Sequence, residues 1–425
     1  MLTRPNATKR SDIIGVLDIG TSKTVCLIIA PKSRTGGLWR REGMRVLGFG
    51  HRPSRGLKAG VVIDLDGAEQ AVRAAVSQAE QMAGVTIEDV FVAVTCGRIK
   101  SSTFEADTRT KGRVVVSADV ERLMAAGRTY AKRDGRTLLH MNLINYRIDG
   151  STGVADPLGM AGTTLAADLH TVTADDAPLR NLLHVVERAQ LLTVGVAPAP
   201  HASGLASTTD EERRLGTICI DMGAGATTLS MFARGRLLSV DTVAVGGQHA
   251  TFDIARTLST PFDEAERIKT LYGTLDAAAS EDQGMVAYTL AGEEEPTLNQ
   301  TTKSHIHGII GSRVTDLLSH IVERIERSGV AHLATHRVVL AGGASQLPGM
   351  SGFAEKILGR PVRIARLQPA AGIPLECCHP AFSTAVGLIQ IALDPSAGIR
   401  KTPDAGTLGE AGYLKRVGQW LREGF

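Results

Sequence analysis

No apolar run in this chain approaches the roughly 18 residues that a membrane-spanning helix needs, so none of it is expected to cross a bilayer. The first residues, Met1 to Asp12, are polar and basic and lack the apolar stretch of a secretion signal, so they are expected to form a loose tail on a chain that is not exported. Cysteine is scarce and odd in number: Cys26, Cys96, Cys219, Cys377 and Cys378 show no C-x-x-C spacing. That argues against a disulfide framework or a thiolate metal site and for reduced, buried thiols in a cytoplasm. An excess of one charge is missing too. With a net charge of +3 and no interleaving of aromatic and basic residues, the signature of a nucleic-acid binder is absent, and no nucleic-acid partner is expected.

What is present is apolar bulk. At 425 residues and 43% hydrophobic content the chain exceeds what one core usually serves, and two lobes with several subdomains are expected.

Three turns carry the chemistry. Val16 to Lys23 and Ile218 to Thr228 each read as a strand, a turn of small residues and a second strand, with Asp18 and Asp221 where the first strand ends. Small residues let backbone N–H groups converge on phosphate oxygens, and carboxylates placed there hold Mg²⁺, usually through its water shell. A third turn, Ala341-Gly342-Gly343-Ala344, follows the apolar run Val338 to Leu340 and opens a helix; its paired glycines let a flat base and ribose lie on the backbone. Each turn alone is ordinary β-turn chemistry. Their order and separation are far more specific.

These turns, in this order, resemble those of the actin-like ATPases, the superfamily of actin, sugar kinases, heat-shock chaperone ATPases and bacterial filament proteins. Within it the chain is similar to the FtsA family of bacterial cell-division proteins over roughly residues 13–395 and again in the last fifteen. The similarity extends to Ser54-Arg55-Gly56-Leu57-Lys58-Ala59-Gly60, Asp156-Pro157-Leu158-Gly159-Met160-Ala161-Gly162, Val245-Gly246-Gly247, Thr260-Pro261 with Glu264 to Lys269, and Ser383 to Leu388. The implied fold is α/β, a two-lobed actin-like ATPase with an FtsA-type inserted subdomain (SHS2-like) and a C-terminal amphipathic helix. The implied cofactors are ATP and Mg²⁺.

By match to the family pattern, the first turn brings Asp18, Gly20, Thr21, Ser22 and Lys23 to the phosphates, and the second brings Asp221, Gly223, Ala224, Gly225, Ala226 and Thr227. Asp18 and Asp221 would organise the metal. Relatives usually carry Gly-Gly-Gly-Thr-Thr-Asp in the second turn, so Ala224, Ala226 and Thr228 here imply a looser phosphate grip. Glu266 and Lys269, at i and i+3 on one helix face, would reach a ribose edge, and Gly342, Gly343 and Ala344 would line the adenosine. Related ATPases place a water-orienting side chain before a helix that starts with proline. Here that position is Ala199, with only His201 nearby, so ATP binding with at most slow hydrolysis is expected.

The same resemblance divides the chain. Subdomain 1A is expected at 13–95, 169–212 and 381–395, the insertion 1C at 96–168, 2A at 213–246 and 334–380, and 2B at 247–333. Within 1C a strand is expected from Arg113 to Val116, and the first lobe is expected to resume with a strand from Leu169 to Thr173. Residues 396–409, with Gly398, Gly406, Gly409, Pro403 and few apolar side chains, read as a flexible linker to a helix at 410–425. Placed at about 100° per residue, Tyr413, Leu414, Val417, Trp420, Leu421 and Phe425 share one face, and Lys415, Arg416 and Arg422 stand on the other. Such a helix lies flat on anionic lipid. The family reading is therefore a polymerising protein on the cytoplasmic face of the inner membrane at the division site. It would anchor the FtsZ ring by receiving the FtsZ C-terminal peptide on 2B, self-associate into filaments and recruit later division proteins through 1C. A PilM-like adaptor of pilus assembly is the alternative, and a small-molecule kinase a more distant one.

Overall fold

A computed structural model describes residues 13–31, 44–131, 135–276, 278, 281–292, 298–334, 336–367 and 374–393. The expected tail at 1–12, linker at 396–409 and amphipathic helix at 410–425, with Leu414, Lys415, Arg416, Val417, Trp420, Leu421, Arg422 and Phe425, lie outside the described residues.

The first lobe opens with β1 (Ile14–Ile19), β2 (Lys23–Pro31) and β3 (Met44–Pro53), then the short pair β4 (Leu57–Lys58) and β5 (Val61–Val62), helix α1 (Leu65–Ala83) and β6 (Asp89–Val94). Helix α1 starts where Asp64 accepts the Asp66 N–H and stops at Gly84, whose left-handed backbone ends the helical ladder. An insertion follows, made of β7 (Lys100–Arg109), α2 (Ser117–Ala131), β8 (Arg136–Ile148), β9 (Ser151–Val154) and β10 (Thr164–Asp175). The chain returns through α3 (Asp176–Arg188), β11 (Leu192–Pro198) and α4 (Ala199–Ser207). The first sheet has the order β11-β6-β1-β2-β3, and the insertion has its own sheet, β7-β10-β8-β9.

Two expectations for the insertion are corrected. Arg113 to Val116 is no strand, since only Val114 bridges to Ala161. The strand expected to begin at Leu169 is the second half of β10, which pairs along its length with both β7 and β8. The continuous ladder carries the sheet of the insertion past the boundary at residue 168 that the family resemblance implies.

Helix α5 (Asp210–Leu215), closed by a capping box between Thr209 and Glu212, leads to the second lobe. There β12 (Thr217–Met222), β13 (Thr227–Ala233) and β14 (Arg236–Val243) precede α6 (Gly247–Leu258) and α7 (Phe262–Tyr272). The hairpin β15 (Met285–Thr289) and β16 (Leu298–Thr302), α8 (Lys303–Arg327), β17 (Arg337–Ala341), α9 (Met350–Leu358), β18 (Val362–Ile364) and α10 (Ser383–Leu393) complete the chain. The sheet order is β14-β13-β12-β17-β18. The stripe Ile310, Val314, Leu317, Leu318, Ile321 and Ile325 of α8 is buried in the core of this lobe, as its helical spacing predicts.

The lobes are built alike. Helices α1 and α3 cover one face of the first sheet, while α4 and α10 cover the other. Helix α4 also packs on β12 and β13, so the α4–α10 pair is the layer between the two sheets.

Candidate functional site

The hairpins β1–β2 and β12–β13 close in the same way. Gly20 N–H donates to the Lys23 carbonyl at 2.9 Å, and Gly223 N–H donates to the Ala226 carbonyl at 3.0 Å. Antiparallel pairing sets Asp18 opposite Val25 and Asp221 opposite Thr228, so each carboxylate leaves its strand just before its turn. The turns face each other across a cleft of about 600 Å³. A Cβ built on Gly225 would stand 2.5 Å from Thr21 Oγ1, which shows how closely the turns of opposite lobes approach.

Burial governs the charges. It pushes Asp18 up to about 6, with Lys23 opposing the shift and Asp221 adding to it. Burial likewise raises Asp221, against the help of Lys23 and of Thr384, whose hydroxyl donates to Asp221 Oδ2 at 3.1 Å. Lys23 is pushed down by burial while both carboxylates hold it up, and its Nζ lies 4.8 Å from the Phe382 ring centre. Two half-buried carboxylates with one lysine are short of positive charge. A divalent cation fits that deficit, and Asp18 and Asp221 are the groups that would hold it.

Hydroxyls and backbone supply the remaining donors. Thr21 Oγ1 accepts the Gly60 N–H at 3.1 Å, which leaves its own hydrogen for an oxygen in the cleft. The start of α6 braces the second turn, with Gly247 N–H and Gln248 N–H donating at 2.9 Å to the carbonyls of Gly223 and Ala224. Gly342 has φ +82°, and a Cβ there would lie 2.4 Å from Asp221 Oδ1, so only glycine lets the third turn reach the carboxylate.

Of the sequence-expected residues, Asp18, Gly20, Thr21, Ser22, Lys23, Asp221, Gly223, Ala224, Gly225, Ala226, Glu266, Lys269, Gly342, Gly343 and Ala344 all line this one cleft. Thr227 does not. Its side chain is fully buried and donates to the Val245 carbonyl at 2.8 Å, whereas Thr228, the next residue on β13, lines the cleft. Strand alternation explains the exchange: neighbouring residues of β13 point to opposite faces. Glu266 and Lys269 are paired at 2.6 Å, and Thr251 bonds both.

Sequence reasoning missed Gly60, Thr95, Gly246, Gln248, Arg313 and Thr384 as cleft residues. Gly60, Gly246 and Thr384 sit in segments already singled out, so the signal was present but not its location. Arg313, held by Asp253 at 2.5 and 3.0 Å, had none, because a charged residue beside an apolar helical stripe looks solvated. Ala199 does line the cleft. His201 faces away, its ring centre 4.4 Å from that of His140 and 6.3 Å from that of Phe232, and burial drives its pKa well below 6.5.

Known proteins fit this architecture. The sequence profile described as "Cell division protein FtsA" matches residues 218–387, and that described as "SHS2 domain inserted in FTSA" matches residues 96–173. The chain is 40% identical to the cell division protein FtsA of Rhizobium meliloti (strain 1021), covering 99% of this chain and 97% of that protein. It is 29% identical to the FtsA of Escherichia coli (strain K12), covering 99% of each. Among solved structures, the PilM-PilN type IV pilus biogenesis complex matches with a TM-score of 0.62 at 17% identity, covering 90% of this chain and 99% of that one. MreB5 of Spiroplasma citri bound to ADP matches with a TM-score of 0.50 at 13% identity, covering 90% of this chain and 96% of that one.

The likeness to these structures is one of fold alone. Two lobes around a cleft, with an SHS2 domain inserted in the first, make this an actin-like ATPase fold of the SHS2-bearing type. The full-length relatives narrow the class: the chain belongs to the FtsA family of cell-division proteins. Among the described residues no helix is long and apolar enough to cross a membrane.

Proposed function

We propose that the cleft binds ATP with Mg²⁺, and that nucleotide shared between the lobes sets the angle at which they meet. The observation that carries this reading is the convergence of Asp18, Lys23 and Asp221, from hairpins of opposite lobes, on one space with the Gly342 turn. Asp18 and Asp221 hold the metal, Thr21 and the backbone of both turns meet phosphate oxygens, and Gly342, Gly343 and Ala344 receive the adenosine. Glu266 and Lys269 take the ribose edge once their mutual pair with Thr251 opens. With alanine at 199 and His201 turned away, hydrolysis is slow at most, since nothing at that position orients a water.

As a member of its family, the protein acts by polymerising on the cytoplasmic face of the inner membrane at the division site. The body self-associates, 2B (247–333) takes the FtsZ C-terminal peptide, the inserted subdomain 1C meets later division proteins, and the segment 410–425 lies on anionic lipid. A single such helix binds weakly, and a filament carrying many gains by avidity. Titration with a fluorescent ATP analogue, with and without Mg²⁺, tests the cleft; Mg²⁺-independent binding that survives Asp18→Asn and Asp221→Asn together overturns the reading. Flotation of FtsZ with anionic vesicles, with and without residues 410–425, tests the anchor.

A further inference from the structure

The insertion belongs to the first lobe in sequence, yet its sheet also docks on the second. Strand β14 is the edge of the second sheet, and β7, β8 and β10 of the insertion pack against it around Ile99, Val172, Phe232, Leu237 and Val240. An edge strand leaves backbone groups without a ladder partner. Here side chains of the insertion cap two of them. Val240 N–H donates to Ser101 Oγ at 3.2 Å, and Asn142 Nδ2 donates to the Leu237 carbonyl at 3.0 Å.

His170 joins the two caps. A carbonyl only accepts, so the Asn142 amide nitrogen faces Leu237 and Asn142 Oδ1 faces His170 Nδ1, 3.0 Å away. His170 Nδ1 therefore carries the hydrogen, and Nε2 accepts from the Ser101 hydroxyl at 2.6 Å. His140 Nε2 donates to the same Asn142 oxygen at 3.1 Å, and the His140 ring lies against His201 of α4. The circuit starts and ends on the backbone of β14, and it requires a neutral imidazole at 170. A proton on Nε2 would make that nitrogen a donor, so that Ser101 Oγ had to accept from Val240 and His170 at once while its own hydrogen lost its acceptor.

We propose that this junction is a proton-sensitive latch: the Ser101–His170–Asn142 circuit ties the inserted subdomain to the edge of the second lobe, and protonation of His170, with His201 behind it, releases it. His140, His170 and His201 are all buried. The groups facing them are Ser101 of β7, Asn142 of β8, Phe232 of β13, Leu237 and Val240 of β14 and the Arg213 guanidinium of α5, and among the described residues no carboxylate acts on His170 or His201. Burial, followed by the neighbouring His140, pushes His170 down to about 3 from 6.5. The sign follows from these positions. The docked state binds fewer protons than the released one, so docking is intact above 6.5 and weakens as pH falls below it, about tenfold by pH 5.5 for each of His170 and His201 that reaches water. The insertion is then a third link between the lobes, besides the two helices that join them.

Hydrogen exchange of the full chain at about pH 7.5 and pH 5.5, each corrected for intrinsic rate, reads the latch at the Val240 amide, with Ile220 in the middle of the second sheet as the internal control. Protection at Val240 is expected to fall about tenfold or more between the two conditions while Ile220 keeps its own. His170→Gln, which can donate and accept but does not titrate, should shrink the step. If Val240 loses no more than Ile220, or if His170→Gln shows the full wild-type step, the proposal fails. Should that variant not fold, Ser101→Ala replaces it: exchange at Val240 must already be fast at about pH 7.5, and an unchanged pH step overturns the latch.

Discussion

The two hairpin turns share a backbone closure and differ in what they present. The first, Asp18 to Lys23, offers a carboxylate, two hydroxyls and a half-buried ammonium; the second, Asp221 to Ala226, offers a carboxylate and, from Gly223 to Ala226, small residues with bare backbone. On the proposed reading one lobe would grip by charge and hydroxyl and the other, Asp221 and Thr228 apart, by main chain. The second is sensitive instead to whatever displaces its backbone. Gly342 presses on Asp221 and the Met222 carbonyl, and the start of α6 holds the carbonyls of Gly223 and Ala224.

The largest effect should come from that backbone. Gly342→Val adds strain at a left-handed residue and drives a side chain into Asp221, with an expected cost of about 2–4 kcal/mol in unfolding free energy and loss of nucleotide binding. Urea denaturation and equilibrium titration read the two separately. A variant with unchanged stability would show that the third turn yields, and the second hairpin would then be no more rigid than the first.

Removing charge from the first turn comes next. Lys23→Met should weaken Mg·ATP binding about 10–100-fold, the worth of a charge-assisted contact in a dry site. The pH dependence follows from Asp18, whose carboxyl is raised from 3.8 to about 6. Without ligand this group binds a proton that the unfolded chain has already released, so it opposes folding as pH rises through that window, and Asp18→Asn should stabilise the empty protein at neutral pH. Binding of a cation requires the ionised form. Calorimetry at about pH 6 in buffers of different ionisation heat should detect about half a proton released from Asp18 per Mg·ATP, and correspondingly less release in Asp18→Asn. Equal release from both proteins would move the titrating group elsewhere.

Much of this site was legible because turns are local. Asp18, Gly20, Asp221, Gly223 and Gly342 are recognisable from a dozen neighbours each, and the fold that unites them followed from their order. What required the structure was direction. Thr227 and Thr228 are equivalent in composition, yet strand pairing sends the first to Val245 and the second to the cleft. Thr384 reaches Asp221 from a helix 163 positions away, a distance no local pattern spans. The extent of β10 and the docking of the insertion on β14 were hidden for the same reason: both are set by long-range partners. The two threonines offer a direct check. Thr227→Val should cost about 1–2 kcal/mol of stability by orphaning the Val245 carbonyl, with little change in affinity for nucleotide, and Thr228→Val should do the reverse. The same loss in both would mean that β13 alternates less cleanly than its ladder indicates.

The smallest effect is the most informative about the contrast between turns. Ala226 lines the cleft where the family pattern has a hydroxyl, and its carbonyl already closes the hairpin by accepting from Gly223. Ala226→Ser leaves that closure untouched and adds one donor beside the existing backbone donors, so affinity for Mg·ATP should rise about two- to tenfold, the net worth of one hydrogen bond. The hairpin itself should neither gain nor lose stability. A gain in affinity would show that the second turn is preorganised and merely short of donors, so that the asymmetry between the lobes is one of side chains alone. No gain would mean that the added hydroxyl bonds the turn's own backbone, as serine does readily at such positions, and that the main-chain grip of the second lobe is complete without it.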